Sequence, residues 1–365
     1  MSILNRPAGR RTLLGAAGAA ILAPRGASAQ NFAGRTIEWV IPFAVGGGSD
    51  VWARFHQPFL QAHLPGEPTV VIRNIAGGGG INGSNQFAAR ARPDGNMIFG
   101  TSGSTQFPFL LGDSRVRYDY NDWSPIMASP TGGAMYIRPE LGVAGPQDIA
   151  KLRAATGLRF GSQGPTSLDM VPALAFELLG LDVQVVMGMQ GRGQGRLAFE
   201  RGETPIDYQT SSAFLSQVMP LVREGRAVPL CSWGVLDDAG EIVRDPSFPQ
   251  LPSFPEFLEA ATGQKPSGPA WEAWRTLFIA GFAAQKFVCV PKATPAPIQG
   301  AFRAAFDRTF AHPDYREKRG PVIGDYREVT GEPCARAYAA ATQISPEVRA
   351  WCRDWLRRRF NYSIG

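Results

Sequence analysis

An α/β fold with a largely parallel sheet is what this 365-residue sequence predicts. Two observations carry that expectation. Short β-rich apolar runs alternate with amphipathic stretches along most of the chain, and 42 Gly with 30 Pro fit many strand–loop–helix junctions better than a helical bundle. Hydrophobic residues make up 44% and charged residues 19%, which excludes a disordered chain and leaves room for two ordinary domains. No run of about 18 uninterrupted apolar residues occurs, so no spanning helix is expected.

In order, residues 36–41 read as a strand, 42–49 as a loop and 50–64 as a helix. A strand at 69–72, a loop at 76–80 and a helix to about 91 follow. The strand at 96–99 runs into Gly100-Thr101-Ser102-Gly103-Ser104. The pattern then repeats, with strands at 135–137, 158–161, 183–187, 205–208 and 226–233 and helices at 167–179 and 194–200. This reads as a second α/β layer set of similar size. The stretch 246–269, rich in Pro and Gly, reads as an irregular connection. Three helices close the chain at 297–311, 333–344 and 346–360, each with Pro in its first turn.

Residues 1–29 have a basic start, an eleven-residue apolar run at 13–23 and Ala27-Ser28-Ala29 before Gln30, the pattern of a cleaved export signal. Arg10-Arg11-Thr12-Leu13-Leu14 is of the twin-arginine type, with a general export signal as the alternative. The mature chain is therefore expected to start near Gln30 and to work in the periplasm. The formal net charge of +6 comes mostly from this segment, which holds Arg6, Arg10, Arg11, Arg25 and no acid; 33 basic residues against 31 acidic ones remain. So even a balance lacks a nucleic-acid footprint. Cys231, Cys289, Cys334 and Cys352 lack the spacing of a zinc or thioredoxin-like site. Buried free thiols are expected, with Cys334–Cys352 the best pair should a bridge form.

In open parallel sheets, ligands bind beyond the carboxyl ends of strands, where loops feed helix N-termini. Three such loops here are nearly bare of side chains: Gly46-Gly47-Gly48-Ser49, Gly77-Gly78-Gly79-Gly80 and Gly100-Thr101-Ser102-Gly103-Ser104. Each brings backbone N–H groups within reach of a ligand, and together they make a pocket for a carboxylate or phosphate with no buried arginine. One such loop alone is an ordinary tight turn, and Asp50 at the start of the first helix reads as its N-cap.

Gly78-Gly79-Gly80-Ile81-Asn82-Gly83 also satisfies the dinucleotide pattern G-x-G-x-x-G, so an exported oxidoreductase is the competing reading. No acidic residue ends a following strand at the required distance, and no phosphate-binding P-loop exists. The third loop misses the nucleophile-elbow pattern at its last position. His56 and His63, seven residues apart, cannot be adjacent metal ligands and read as partly buried or surface groups; His312 reads as structural. No catalytic residue, metal or cofactor is expected.

Taken in order, Ile41-Pro42-Phe43, Gly46 to Asp50, Gly77 to Gly83, Arg92-Pro93-Asp94-Gly95, Phe160-Gly161-Ser162-Gln163-Gly164-Pro165, Gln190-Gly191, Ile206-Asp207-Tyr208 and Pro291 to Pro297 resemble one family across nearly all of residues 31–355. It is the Bug/TctC-type periplasmic solute-binding receptors of tripartite tricarboxylate transporters. The resemblance implies a type II periplasmic-binding-protein fold of two α/β lobes joined by hinge strands. It places residues 31–130 and 286–365 in lobe one and 131–285 in lobe two, with hinges near 130 and 285.

It also implies a monomer that captures a small organic carboxylate and delivers it to membrane transporter subunits, a sensor for a signalling partner being the variant of that role. Family members clamp a carboxylate with backbone amides and ordered waters. Carried over, this points to Phe43, Val45, Gly46, Gly47 and Ser49 and to Gly77, Gly78, Gly79 and Gly80. Thr101, Ser102 and Ser104 would form the pocket wall. From lobe two, Ser162, Gln163, Thr166 and Ser167 would meet the distal part of the ligand, with Asp207 nearby. Where the family often has Pro-Tyr-Lys-Gly, this chain has Gly188-Met189-Gln190-Gly191, and Ala44-Val45 replaces the usual prolines. A segment between Ser232 and Ala280 carrying Trp233, Trp271 and Trp274 has no counterpart and is expected at the lobe-two rim, favouring a more apolar or aromatic monocarboxylate.

Overall fold

The computed structural model describes residues 30–237 and 239–365. Residues 1–29, where an export signal is expected, lie outside the described residues.

The first part of the chain alternates β1 (Thr36–Ile41), α1 (Gly48–His63), β2 (Thr69–Asn74), α2 (Ile81–Arg90), β3 (Met97–Gly100), α3 (Gly103–Leu111) and β4 (Trp123–Ser129). β1 pairs in parallel with β2 and β3. Its inward residues Ile37, Trp39 and Ile41 are fully buried, with Trp52 of α1 edge-on to Trp39. The chain then passes at 130–132 into β5 (Gly133–Ile137), α4 (Ile149–Ala154), β6 (Arg159–Ser162), α5 (Met170–Leu178), β7 (Gln184–Met187), α6 (Arg192–Glu200) and β8 (Ile206–Thr210). Next come the short helices α7 (Ser211–Ala213) and α8 (Met219–Arg223) and then β9 (Val228–Ser232). A small hairpin, β10 (Val235–Leu236) with β11 (Ile242–Val243), precedes α9 (Phe254–Thr262) and α10 (Pro269–Phe278).

The chain returns through β12 (Lys286–Pro291), α11 (Ala296–Ala311), α12 (Pro313–Ile323), β13 (Val329–Thr330), α13 (Gly331–Ala341) and α14 (Pro346–Phe360). β12 inserts antiparallel between β3 and β4, so the lobe-one sheet runs β13-β4-β12-β3-β1-β2. Lobe two holds an antiparallel β8-β5-β9 sheet and a parallel β6-β7 pair. The two crossings lie side by side, where Thr131 N–H donates to the Phe282 carbonyl at 3.0 Å.

The sheets are thus more mixed than the largely parallel arrangement expected, because each return of the chain to a lobe brings a strand in from the opposite direction. The stretch 246–269 is not wholly irregular. α9 starts inside it with a capping box, Ser253 N–H and Oγ both donating to Glu256 Oε2 (2.7 and 2.9 Å), and buries Phe254, Phe257 and Leu258. α12 follows His312 where no helix was expected. α14 packs on α10 and α3, with Trp355 Nε1 donating to Glu177 of α5 at 2.5 Å, so the last helix touches elements of both parts of the chain.

Trp233 and Trp274 are fully buried, and Trp271 stacks on Trp274 at 5.0 Å. The tryptophans of that segment therefore build the lobe-two core, not a rim. All four cysteines are free and buried; Cys334 and Cys352 sit in different core clusters, so the bridge considered between them does not form.

Candidate functional site

Between the lobes runs a cleft lined by Phe43, Gly47, Gly48, Ser49, Ser102, Gln163, Leu168, Arg192, Thr210 and Lys286. Its free space is about 20 Å³, room for about one water. The walls come together because two helix N-termini face each other. A Cβ placed on Gly193, second residue of α6, would lie 3.1 Å from the Gly46 carbonyl oxygen and 3.4 Å from the Gly47 nitrogen at the start of α1. Only glycine lets these backbones approach so closely. Ser212 Oγ donates to the Gly48 carbonyl at 2.9 Å, Gln217 Nε2 to the Gly46 carbonyl at 3.1 Å, and Leu168 N–H to Ser104 Oγ at 2.9 Å. The structure is the closed arrangement of the lobes.

Of the sequence-derived residues, Phe43, Gly47, Ser49, Ser102 and Gln163 line the cleft. Gly46 turns the chain with φ of +84° and donates its N–H to Asp50 Oδ2 at 2.9 Å. Asp50 is therefore not the N-cap of α1. Gly47 holds that position, and Asp50 reaches back from the first turn while Arg54 and Asn74 hold its other oxygen. Val45 stands 66% exposed at the loop tip, outside the cleft.

Gly77, Gly78, Gly79 and Gly80 all have positive φ and coil into one 3₁₀ turn. A Cβ on Gly79 would meet the Gln163 carbonyl and the Ser167 side chain at 3.6 Å, and one on Gly80 would strike Phe43 at 2.9 Å. This loop meets lobe two directly. Thr101 is tied to the returning strand, its Oγ1 accepting from Phe287 N–H and its N–H donating to the Phe287 carbonyl, both at 2.9 Å. Ser102 caps α3, and Ser104 Oγ lies 3.5 Å from Gln163 Oε1 across the cleft.

The lobe-two residues form a charged cluster rather than a ring of free donors. Ser162 Oγ and Gln163 N–H donate to Asp169 Oδ2 at 3.0 and 2.6 Å. Ser167 Oγ donates to the Gly164 carbonyl at 2.7 Å. Thr166 points away from the cleft, to Asp113 at 2.9 Å and Arg115 at 3.2 Å. Asp207 is fully buried in an ion pair with Arg192, and Tyr136 OH donates to it at 2.6 Å. Asp169 completes the cluster at 3.5 Å from Arg192, whose guanidinium lies over the Phe160 and Tyr208 rings at 4.9 and 4.5 Å. Burial opposes the charge on Arg192, yet Asp207 and Asp169 more than offset it and hold its pKa above the ordinary arginine value.

The pocket thus does contain a buried arginine, contrary to the expectation from the Gly-rich loops. Sequence reasoning missed it although it directly follows the Gln190-Gly191 motif. It also missed Lys286, a single cation opening an otherwise apolar strand. Both could have been found as charges placed where an element meets the cleft.

His56 is not a surface group. It is fully buried, with Nδ1 2.8 Å from the Trp52 carbonyl and Nε2 2.9 Å from Tyr315 OH, and burial pulls its imidazole down to about 4. His63 is half-buried against Thr309 at 3.0 Å. Neither reaches the cleft. Among the described residues, no group of three or more His, Cys, Asp or Glu is placed to hold a metal.

No family model matches the chain. Among curated proteins it is 29% identical over 263 residues to a UPF0065 protein of Bordetella pertussis, covering 70% of this chain and 75% of that one. It is 40% identical over 94 residues to protein BugT of the same organism, 26% of this chain and 27% of that one. Among solved structures it superposes on the periplasmic binding protein BugD with a TM-score of 0.66 at 19% identity, covering 88% of this chain and 97% of that one. MatC of Rhodopseudomonas palustris with bound malate gives 0.65 at 21%, covering 88% and 99%. Rpa4515 of R. palustris with adipate gives 0.66 at 18%, covering 89% and 97%. At such identities the structural likeness shows the fold, which is that of the periplasmic binding proteins. In sequence and in fold, the chain is similar to the Bug/TctC-type periplasmic solute-binding receptors.

Proposed function

We propose that this chain is an exported solute-binding receptor that captures a small organic carboxylate between its lobes and delivers it to a tripartite tricarboxylate-type membrane transporter. The observation that carries the reading is the cleft itself. Two helix N-termini, α1 and α6, converge there on the space between the lobe faces, and helix N-termini favour an anion. MatC and Rpa4515, which share the fold, were solved with malate and adipate, and this supports a carboxylate over other anions. No chemical step is assigned. Capture needs the lobes to part, since the closed cleft holds about one water, and closure is driven by contacts that form only when both lobes meet the ligand.

A thermal-shift series with the purified protein tests this, using acetate, benzoate, malate, adipate, citrate and NAD. A ligand bound only by the folded protein raises its melting temperature by mass action. A shift with one or more acids is expected. A shift with NAD alone would overturn the receptor reading in favour of the oxidoreductase.

A further inference from the structure

The cleft carries two cations, and only one of them is ion-paired. Arg192 is matched by Asp207 and Asp169. Lys286, at the start of β12, is 1% exposed and forms no ion pair among the described residues. Its Nζ reaches Gln285 Oε1 at 2.5 Å and Ser49 Oγ at 3.3 Å, both neutral, and stands 6.0 Å from the Trp52 ring centroid.

The groups that face it from neighbouring elements offer no free carboxylate, those of Asp169 and Asp207 being held by Arg192. α1 presents Ser49 and Trp52, its Asp50 being held by Arg54, Asn74 and the Gly46 N–H. α3 presents Ser102, and lobe two presents the Arg192 cluster and Thr210. Thr210 Oγ1, Trp52 Nε1 and Gln285 Nε2 are buried without a hydrogen-bond partner, as are the acceptors Gln209 Oε1 and Gln106 Oε1. A buried ammonium without a counter-ion is costly, and burial pulls the pKa of Lys286 down to about 7. A methionine would fill the same volume without the penalty.

We propose that Lys286 is the counter-ion of the ligand's buried carboxylate, so that the cleft takes an acid with one carboxylate inside. This rests on the carboxylate-receptor reading given above. The helix N-termini supply neutral N–H donors, and Lys286 supplies the single formal charge that one carboxylate neutralises. A second acid group on the same ligand has no cation left in the cleft to meet, which favours monocarboxylates, or dicarboxylates whose far end stays at the mouth.

The test compares wild type with Lys286→Met by calorimetric titration with acetate, benzoate, malate and adipate at pH 8 and pH 6, in two buffers of different ionisation enthalpy. Replacing a charge-assisted contact should weaken binding of the acids about 10- to 100-fold. Wild type should take up close to one proton per ligand at pH 8 and much less at pH 6, where Lys286 is already charged. K286M should take up none, and without ligand it should melt at or above wild type, which a merely structural lysine would not do. Binding by K286M as tight as wild type overturns the inference and leaves the receptor reading standing. Should K286M fail to fold, the wild-type proton count decides: no uptake at pH 8 overturns the inference. A wild-type protein that binds none of the acids overturns both.

Discussion

Gly193→Ala separates folding from closure, because the two should move in opposite directions. Gly193 lies in the first turn of α6 with ordinary helical backbone, where alanine is the better residue by up to about 1 kcal/mol. The unclosed protein should therefore gain a little stability. In the closed arrangement, however, the new methyl would sit 3.1 Å from the Gly46 carbonyl oxygen and 3.2 Å from its carbon. Both are backbone atoms of the opposite lobe, and Gly46 is held by its N–H bond to Asp50 and by Gln217 on its carbonyl. It cannot swing aside as a side-chain tip could. The lobes must part by a few tenths of an ångström or the loop must distort, an overpacking cost of about 1–3 kcal/mol. Since only the closed form holds ligand on both sides, that cost appears in full as lost affinity, about 5- to 150-fold. Thermal melts without ligand, small-angle scattering for the radius of gyration and carboxylate titration read the three quantities. The melting point should hold or rise, the radius of gyration should increase and the affinity should fall. An unchanged affinity and radius of gyration would refute the reasoning, showing that the α1–α6 apposition is not the ligand-holding arrangement.

Three further outcomes are expected. Asp207→Asn leaves the buried Arg192 with Asp169 alone, 3.5 Å away, and should cost about 3–5 kcal/mol in urea unfolding; a loss under about 1 kcal/mol would show the pair to be of little consequence. Burial pushes the Asp245 carboxyl up to about 6, although Tyr326 OH (2.8 Å) and Ser247 N–H (2.8 Å) donate to it. The folded protein thus keeps this proton to about pH 6 while the unfolded chain releases it near 3.8, so this group removes stability as the pH rises through that window. The deficit, on the order of 3 kcal/mol, is complete above pH 6. Asp245→Asn should close it, and a stability difference from wild type that stays flat between pH 4 and pH 7 would contradict this. Reductant should leave the melting point unchanged, and thiol reagents should label none of the four buried cysteines before unfolding; rapid labelling of the native protein would argue against this packing.

Much of the fold was legible because the relevant signals are local. β1 is a β-rich apolar run whose inward Ile37, Trp39 and Ile41 alternate with Thr36, Glu38 and the also buried Val40, and α14 begins with Ser345 capping the helix ahead of Pro346, so composition and caps mark both. Elements failed to show where local composition contradicted tertiary context. α9 lies in a Pro- and Gly-rich stretch, and its signature is only the Ser253–Glu256 capping box with Phe254, Phe257 and Leu258 on one face. α12 buries little beyond Tyr315 and Ile323, too few apolar positions to show a helical period. The antiparallel insertion of β12 pairs residues more than 150 positions apart, and no local pattern encodes that. A run of tryptophans likewise does not say whether a core or a rim awaits it.

The cleft divides along the same line, and the division has a physical cause. What the Gly-rich motifs encode is backbone: a loop with positive φ at Gly46 and four consecutive left-handed glycines at 77–80 can be read from sequence because only glycine adopts them cheaply. What they cannot encode is charge balance, which is a property of residues brought together from distant parts of the chain. Ser49 and Lys286 meet at 3.3 Å across 237 positions, and Arg192 finds Asp169 and Asp207 from either side along the chain. The backbone donors alone would accept a phosphate as readily as a carboxylate. Lys286 is the cleft cation with no carboxylate against it, so a ligand carboxylate seated on it is compensated locally, whereas a second acid group buried beside it meets only Arg192, already held by Asp169 and Asp207. On the proposed reading, discrimination among acids rests on the unpaired ammonium of Lys286, and the glycine loops serve to let the two lobes close around it.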